Sequence, residues 1–165
     1  METIAVYWEQ KPKTYGFKEV LDLSLINIAI KPDKISQWGL WLIELADHHM
    51  GFHLISAKYS MLRELRLYIL IERRWMDSML SYIGEKVGPD SEKDLYLTRQ
   101  VELISFQGPH FGDRYGIADT AFKVLDDHKI PILIAACSAA AVYLVLPEKK
   151  LQEARPLLAE AFEVP

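Results

Sequence analysis

Residues 101–146 read VELISFQGPHFGDRYGIADTAFKVLDDHKIPILIAACSAAAVYLVL, and the reading of this stretch decides the fold. Val101 to Phe106 is an apolar run of strand type, and Gly108 and Gly112 open a turn after it. Ile117, Ala121, Val124, Leu125 and His128 then recur at helical spacing. Pro131 to Ala136 and Ala140 to Leu146 are continuous apolar runs, the pattern of strands covered by helices. The order is strand, helix, strand, strand.

A looser copy of that order lies between Leu23 and Ile71. Leu23-Ser24-Leu25-Ile26 lines up with Val101-Glu102-Leu103-Ile104, and Glu44-Leu45-Ala46-Asp47-His48 with Val124-Leu125-Asp126-Asp127-His128. Leu67-Tyr68-Ile69-Leu70-Ile71 lines up with Val142-Tyr143-Leu144-Val145-Leu146. The spacing drifts only at turns, where insertions are tolerated, so the chain reads as a tandem repeat.

Around these copies the remaining elements fall into place. Thr3 to Trp8 is β-branched and aromatic, and Glu19 to Ile30 is a strand whose alternation changes phase near Leu25-Ile26, where a bulge is expected. Asp33 stands where an N-cap belongs, before a helical face of Ile35, Trp38, Leu42, Leu45, Ala46 and His49. Gly51 is expected to end that helix. Phe52 to Tyr59 and Glu64 to Ile71 are strands, and Trp75, Met79, Leu80 and Ile83 form the stripe of a helix stopped between Gly84 and Pro89. Leu95 to Phe106 reads as two short strands meeting at Arg99-Gln100. Leu151 to Phe162 is a final helix, which Pro156 should kink or split.

Composition removes several function classes. The 165 residues carry a net charge of −4, which offers no basic footprint for nucleic acid. No apolar segment approaches the length of a membrane span, and METIAVYWEQK has no basic region followed by an apolar run, so a signal peptide is not expected. A single cysteine, Cys137, excludes an internal disulfide and a cysteine-based zinc site. The expectation is a cytoplasmic protein without a membrane or nucleic-acid partner. Cys137 reads as inert core, Ser138 has no base near it in sequence, and no phosphate-cradling G-x-x-x-x-G-K or G-x-S-x-G is present. His48, His49 and His53 suggest a metal only until Gly51 is noticed interrupting the helix between them; no metal and no cofactor is expected.

A doubled β-α-β-β-α unit preceded by one strand resembles the tandem ACT regulatory region of aspartate kinases, over nearly the whole chain. Asp33-Lys34 stands at the D-K of that family's D-K-P-G turn, and Gly108 with Gly116-Ile117 at the opening of its second unit. Leu157 to Phe162 resembles the family's L-L-A-E-A-F ending. The resemblance implies an α+β fold of two ferredoxin-like βαββα (ACT) units with antiparallel sheets and helices on one face. It places unit 1 at 19–98 and unit 2 at 99–165, with a strand within 1–10 completing the second sheet. It also implies a free-standing regulatory protein, not an enzyme, that binds an amino acid or a similar small ligand and passes this to a partner enzyme or to its own assembly. Each unit alone is small for a stable core, so pairing into a homodimer through sheet edges or helices is expected.

The residues implied for the ligand lie at two helix entrances and the strands that follow the helices. They are Asp33, Lys34, Ile35, Ser36, Gly51, Phe52 and His53 in the first unit, and Gly108, His110, Asp113, Gly116, Ile117 and Ile132 in the second. A helix N-terminus attracts a carboxylate through its free N–H groups. Several departures stand beside this: Ile35-Ser36 replaces P-G, Gly51 and Pro131 replace the asparagine of I-N-I, and Ala57-Lys58 replaces Q-N. Each position also has a plainer reading: Asp33 and Asp113 as caps, Gly108 and Gly112 as turn glycines with positive φ. The alternative function is a protein-interaction or oligomerisation module with decayed ligand sites.

Overall fold

Alternate side chains along each strand point to helices, and two separate interiors are built from that alternation. The computed structural model describes residues 11–61, 64–87 and 95–164. The strand expected at Thr3–Trp8 lies outside them. In chain order the elements are β1 (Phe17–Ile30), α1 (Ile35–Asp47), β2 (Phe52–Tyr59), β3 (Leu65–Glu72), α2 (Met76–Val87) and β4 (Leu95–Gln107). There follow α3 (Ile117–Asp127), β5 (Ile134–Cys137), β6 (Ala141–Pro147) and α4 (Leu151–Ala161). Short 3-10 turns at Pro32–Lys34 and Arg73–Trp75 lead into α1 and α2. One unit is Asp22–Gln100, and the other is Val101–Pro165 with the chain up to Leu21.

Within Asp22–Gln100 the strand order is β2-β3-β1, with antiparallel pairing that sets Ile30 opposite Leu65 and Leu23 opposite Glu72. Ile26, Ile28 and Ile30 share one sheet face with Leu65, Leu67, Ile69 and Ile71, because strand side chains alternate. Trp38 and Leu45 of α1 and Met76, Met79 and Ile83 of α2 close that interior. In the other unit the order is β4-β6-β5, again antiparallel. Ile104, Phe106, Val142, Leu144 and Leu146 there meet Ile117, Ala121 and Leu125 of α3 and Leu151, Ala154 and Leu158 of α4. Both units are therefore α+β, with helices on one face of an antiparallel sheet.

The pairing register reproduces the repeat. Ser24 pairs with Ile71 as Glu102 pairs with Leu146, and Leu25 with Leu70 as Leu103 with Val145. What the two copies do at that position differs. The buried Glu102 carboxylate accepts the backbone N–H of Leu151 at 2.7 Å, at the first residue of α4. The shorter Ser24 is fully buried and its hydroxyl finds no partner among the described residues. A carboxylate at a helix N-terminus is favoured by the dipole and by the unpaired N–H groups there.

Helices α1 and α3 end alike. After the cap residues His48 and His128, His49 (φ 66°) and Lys129 (φ 57°) adopt left-handed conformations. His49 N–H then bonds Ala46 O and Met50 N–H bonds Leu45 O, while Lys129 N–H bonds Asp126 O and Ile130 N–H bonds Leu125 O. These are Schellman motifs, and the buried Met50 and Ile130 supply their apolar contacts. Gly51, expected as the helix-ending glycine, follows the motif and has no positive φ.

Several further expectations are corrected. β1 keeps one register from Leu23 to Ile30, without a bulge at Leu25-Ile26. The change of phase arises because Leu23 to Ile26 are buried consecutively, on both faces of the strand. The left-handed residue of that strand is Asp22, at φ 57°. β4 is one strand and not two, although Gln100 within it has φ 145°. α2, by contrast, ends at Val87, within the stop expected between Gly84 and Pro89. α4 runs unbroken through Pro156, which is exposed, so the carbonyl of Gln152 that it leaves free faces water. Cys137 is exposed at the end of β5 and not core; partial burial pushes its thiol pKa up, which keeps it protonated and unreactive.

A left-handed conformation costs a side-chain-bearing residue roughly 1–2 kcal/mol, and glycine escapes most of it. Lys129→Gly should therefore stabilise the protein by about 1 kcal/mol in urea denaturation, and Lys129→Val should destabilise it. A loss of stability in Lys129→Gly would falsify this account of the helix end.

Candidate functional site

The first helix entrance carries no side-chain cap. Asp33 sits inside the 3-10 turn, Lys34 occupies the cap position of α1, and neither donates or accepts a capping bond. The expectation of Asp33 as N-cap is thus corrected: Pro32 starts a turn one residue earlier and carries Asp33 past the position from which it reaches free N–H groups. Ile35 and Ser36 are exposed on the first turn of α1. At the far end of that helix, Gly51 leads into β2, and Phe52 packs partly against the interior. His53 falls where the β2–β3 register shifts, between Phe52 and Leu54, and such irregularities re-aim a side chain.

These two groups do not converge within the unit. Ile30, just before the first entrance, pairs with Leu65, whereas Phe52 pairs with Ile71 at the other end of β3. Six strand residues separate them, roughly 20 Å. The same crossover geometry divides the second unit: α3 starts beyond β4, and Ile132 lies at its other end, beside Leu133, whose N–H bonds Val145 O at 2.9 Å.

At the second entrance the glycines have different tasks from those expected. Gly108 and Gly112 are not at positive φ; Gly116 is, at 86°, in the cap position of α3. A Cβ on Gly108 would overlap the Lys13 carbonyl oxygen and press on the Phe111 ring, and one on Gly112 would stand 3.0 Å from Ala139 O. Glycine is needed there for close packing. The segment crossing Gly108 is tied down by Thr14 N–H to Glu163 O at 2.9 Å, Tyr15 N–H to Gln107 O at 2.8 Å and Thr14 Oγ1 to Gln107 O at 2.8 Å. His110 is left-handed at φ 66°; its carbonyl accepts from Arg114 at 2.8 Å, and its Nδ1 lies 3.5 Å from an Asp113 carboxylate oxygen. Ile117 is buried core. A small depression of about 250 Å³ adjoins this entrance between Lys13–Tyr15, Pro109 and Glu163-Val164.

The larger cavity belongs to Asp22–Gln100. A cleft of about 720 Å³ opens at the end of β1 and the start of β3, under α1 and beside the last turn of α2. That volume suits a small molecule. Of the residues expected at the ligand, only Lys34 lines it. Gln37, Trp38 and Trp41 continue the same face of α1, with the two indole rings edge to face at 5.2 Å. Lys31, Glu64 and Lys86 bring charge to its rim. The tryptophan spacing was legible as a helical face, but its lysine neighbours come from the turn Lys31–Lys34 and from α2, far apart along the chain.

One wall of the cleft is held by a polar group. The Glu44 carboxylate of α1 accepts from the Tyr82 hydroxyl at 2.5 Å and lies 3.2 Å from Lys86 Nζ, both on α2. The bonds from Tyr82 and then Lys86 lower the Glu44 pKa. Burial first, and the Glu44 bond second, push the Tyr82 phenol from near 10 up to about 12. His48, His49 and His53 are spread over a helix cap, a left-handed residue and a strand irregularity; among the described residues no three metal-binding side chains cluster. No helix among them is long and apolar enough to cross a membrane.

No family model matches the sequence, and no curated protein matches it. Solved structures do. The regulatory subunit of aspartate kinase from Thermus flavus aligns with TM-score 0.75 at 15% identity, covering 92% of this chain and 99% of that one. The fold is that of aspartate kinase regulatory subunits. Aspartate kinase from Synechocystis aligns with TM-score 0.80 at 17% identity, over 94% of this chain and 28% of that one. E. coli aspartokinase III, solved in complex with lysine and aspartate in its T-state, aligns with TM-score 0.64 at 14% identity, over 95% and 35%. At these identities the likeness is one of fold, and it spans both ACT-like units.

The Tyr82 pair carries a pH dependence. The phenol's folded pKa lies above its unfolded value, so its contribution is complete below about pH 10 and is lost as pH rises towards about 12. The Glu44 contribution has the opposite sense: present above the unfolded carboxylate pKa, it is lost as pH falls through the lowered folded value. In an absorbance titration, one of the eight tyrosines should ionise last, and Tyr82→Phe should remove that step. Persistence of the last step in Tyr82→Phe would assign it elsewhere.

Proposed function

We propose that this chain is a non-catalytic regulatory protein that binds an amino acid or a similar small ligand and passes the binding to an enzyme or to its own assembly. The observation that supports this is the tandem ACT-like fold over nearly all of the chain, aligned with 99% of a regulatory subunit. The amino-acid class draws support from E. coli aspartokinase III, solved with lysine and aspartate, 35% of which aligns with this fold. Asp33 to Ser36, Gly51 to His53, Gly108, His110, Asp113, Gly116, Ile117 and Ile132 are its proposed ligand positions, in two units divided near 98 and 99. A cytoplasmic setting belongs to the same proposal.

A ligand that binds only the folded state stabilises it by about 2.7 kcal/mol at a hundredfold excess over Kd. A thermal-shift screen of the standard amino acids should therefore give at least one clear rise in Tm. A screen without any hit sinks the amino-acid reading.

A second reading, an interaction module without a small ligand, draws on the uncapped α1 entrance and on Leu40 and Ile43, exposed on the outward face of α1. Self-association fits either reading. β2 is the last strand in its unit's order and exposes Ile55 and Tyr59, and an open strand edge pairs readily with another chain. Light scattering at micromolar concentration should give a homodimer; a monomeric mass removes that part of the proposal.

A further inference from the structure

The cleft beside α1 combines three features that no side chain of the described residues uses up. The first is charge. Lys31 and Lys34 line the cleft, both are exposed, and neither forms an ion pair among the described residues. Lys86, the third cation, is already engaged by Glu44 at 3.2 Å. On a chain of net charge −4, two uncommitted cations at one cavity make a local positive field. The second is an aromatic wall: Trp41, half-buried, and Trp38, almost wholly buried, line the cleft's inner side. The third is Glu64, which lines the same cleft beside the Ile30–Leu65 pair and whose carboxylate is only loosely engaged, 4.0 Å from Arg66 Nε.

Each feature selects part of a ligand. A lysine ammonium is a compact charge that pairs with a carboxylate without demanding a fixed fork geometry. Indole faces and edges favour flat or bulky apolar groups, which also gain by leaving water. An acid lining the same cleft suits an ammonium on the same molecule. Small-ligand pockets of this size are mostly apolar with a few placed polar groups, which is this arrangement.

We propose that the cleft binds an aromatic carboxylate, the aromatic amino acids among them, with the carboxylate on Lys31 and Lys34 and the ring against Trp41 and Trp38. Regulation by a small ligand is the purpose this borrows from the reading above; the ligand's chemistry is inferred from the cleft alone. The site is set apart from most of the expected ligand positions, since Lys34 is the only one it shares with them.

The test uses L-phenylalanine, 3-phenylpropionate, phenethylamine and L-lysine as probes on the full chain. The readouts are Tm and the indole N–H resonances of Trp38 and Trp41 in 15N-labelled protein. Phenylalanine and 3-phenylpropionate should move both indole signals, and phenethylamine, without a carboxylate, should move them far less. The double variant Lys31→Glu/Lys34→Glu changes two exposed side chains, so it should fold, and it should weaken binding by about tenfold or more. The proposal is overturned if neither carboxylate moves the indoles, or if the effect survives the double variant. Should lysine or another amino acid raise Tm without touching the indole signals, the cleft proposal falls while the sensor reading stands. Should 3-phenylpropionate bind at the cleft while no amino acid does, the cleft stands and the amino-acid reading falls.

Discussion

The central strand of each unit is the constraint on which the rest depends. β3 takes β1 on one side and β2 on the other, and β6 does the same for β4 and β5. Ile69, Leu70 and Ile71 are fully buried in sequence, as are Leu144, Val145 and Leu146. Strands buried on both faces admit one register, because a slip by one residue would turn every core side chain to the opposite face. Ile69 or Leu144 would then leave the helices it packs against. Once register is set, the faces that α1, α2, α3 and α4 must cover are set with it.

The helix ends show how the same unit tolerates different local chemistry. Both α1 and α3 turn back to the sheet through a left-handed residue, one a histidine and the other a lysine, with Leu45 and Leu125 carbonyls taking the returning N–H. The backbone bonds and the buried Met50 and Ile130 outweigh the strain of a side chain in that conformation. At the strand position shared by Ser24 and Glu102, by contrast, only the longer side chain reaches a helix N-terminus. Repetition preserves the frame while individual polar contacts come and go.

Function follows from where the frame leaves room. A strand-helix-strand crossover puts the two ends of its helix at opposite ends of the sheet, so residues near in sequence to α1 serve two separate places. Asp33 to Ser36 stand at one, Gly51 to His53 at the other. The cleft at the first of these draws instead on the ends of β1, β3 and α2 for its charge and on α1 for its aromatic wall. The Glu44–Tyr82–Lys86 group spans α1 and α2 and braces that wall, while Lys31 and Lys34 form no ion pair among the described residues.

What the sequence determined by itself was the order of elements, the tandem repeat and the faces of the helices. Those rest on local periodicity, which Leu67 to Ile71 and Ile117 to Leu125 display plainly. It was misleading wherever a residue answers to partners distant along the chain. Leu23 to Ile26 mimic a bulge because both of their faces are buried, and Gly108 mimics a turn glycine because Lys13 crosses over it. Asp33 mimics a cap that the Pro32 turn moves out of reach. The cleft itself was decided by tertiary structure alone: Lys31, Glu64 and Lys86 are far apart along the chain, and only the pairing of β1 with β3 and the packing of α1 and α2 on that sheet bring their charges to one cavity.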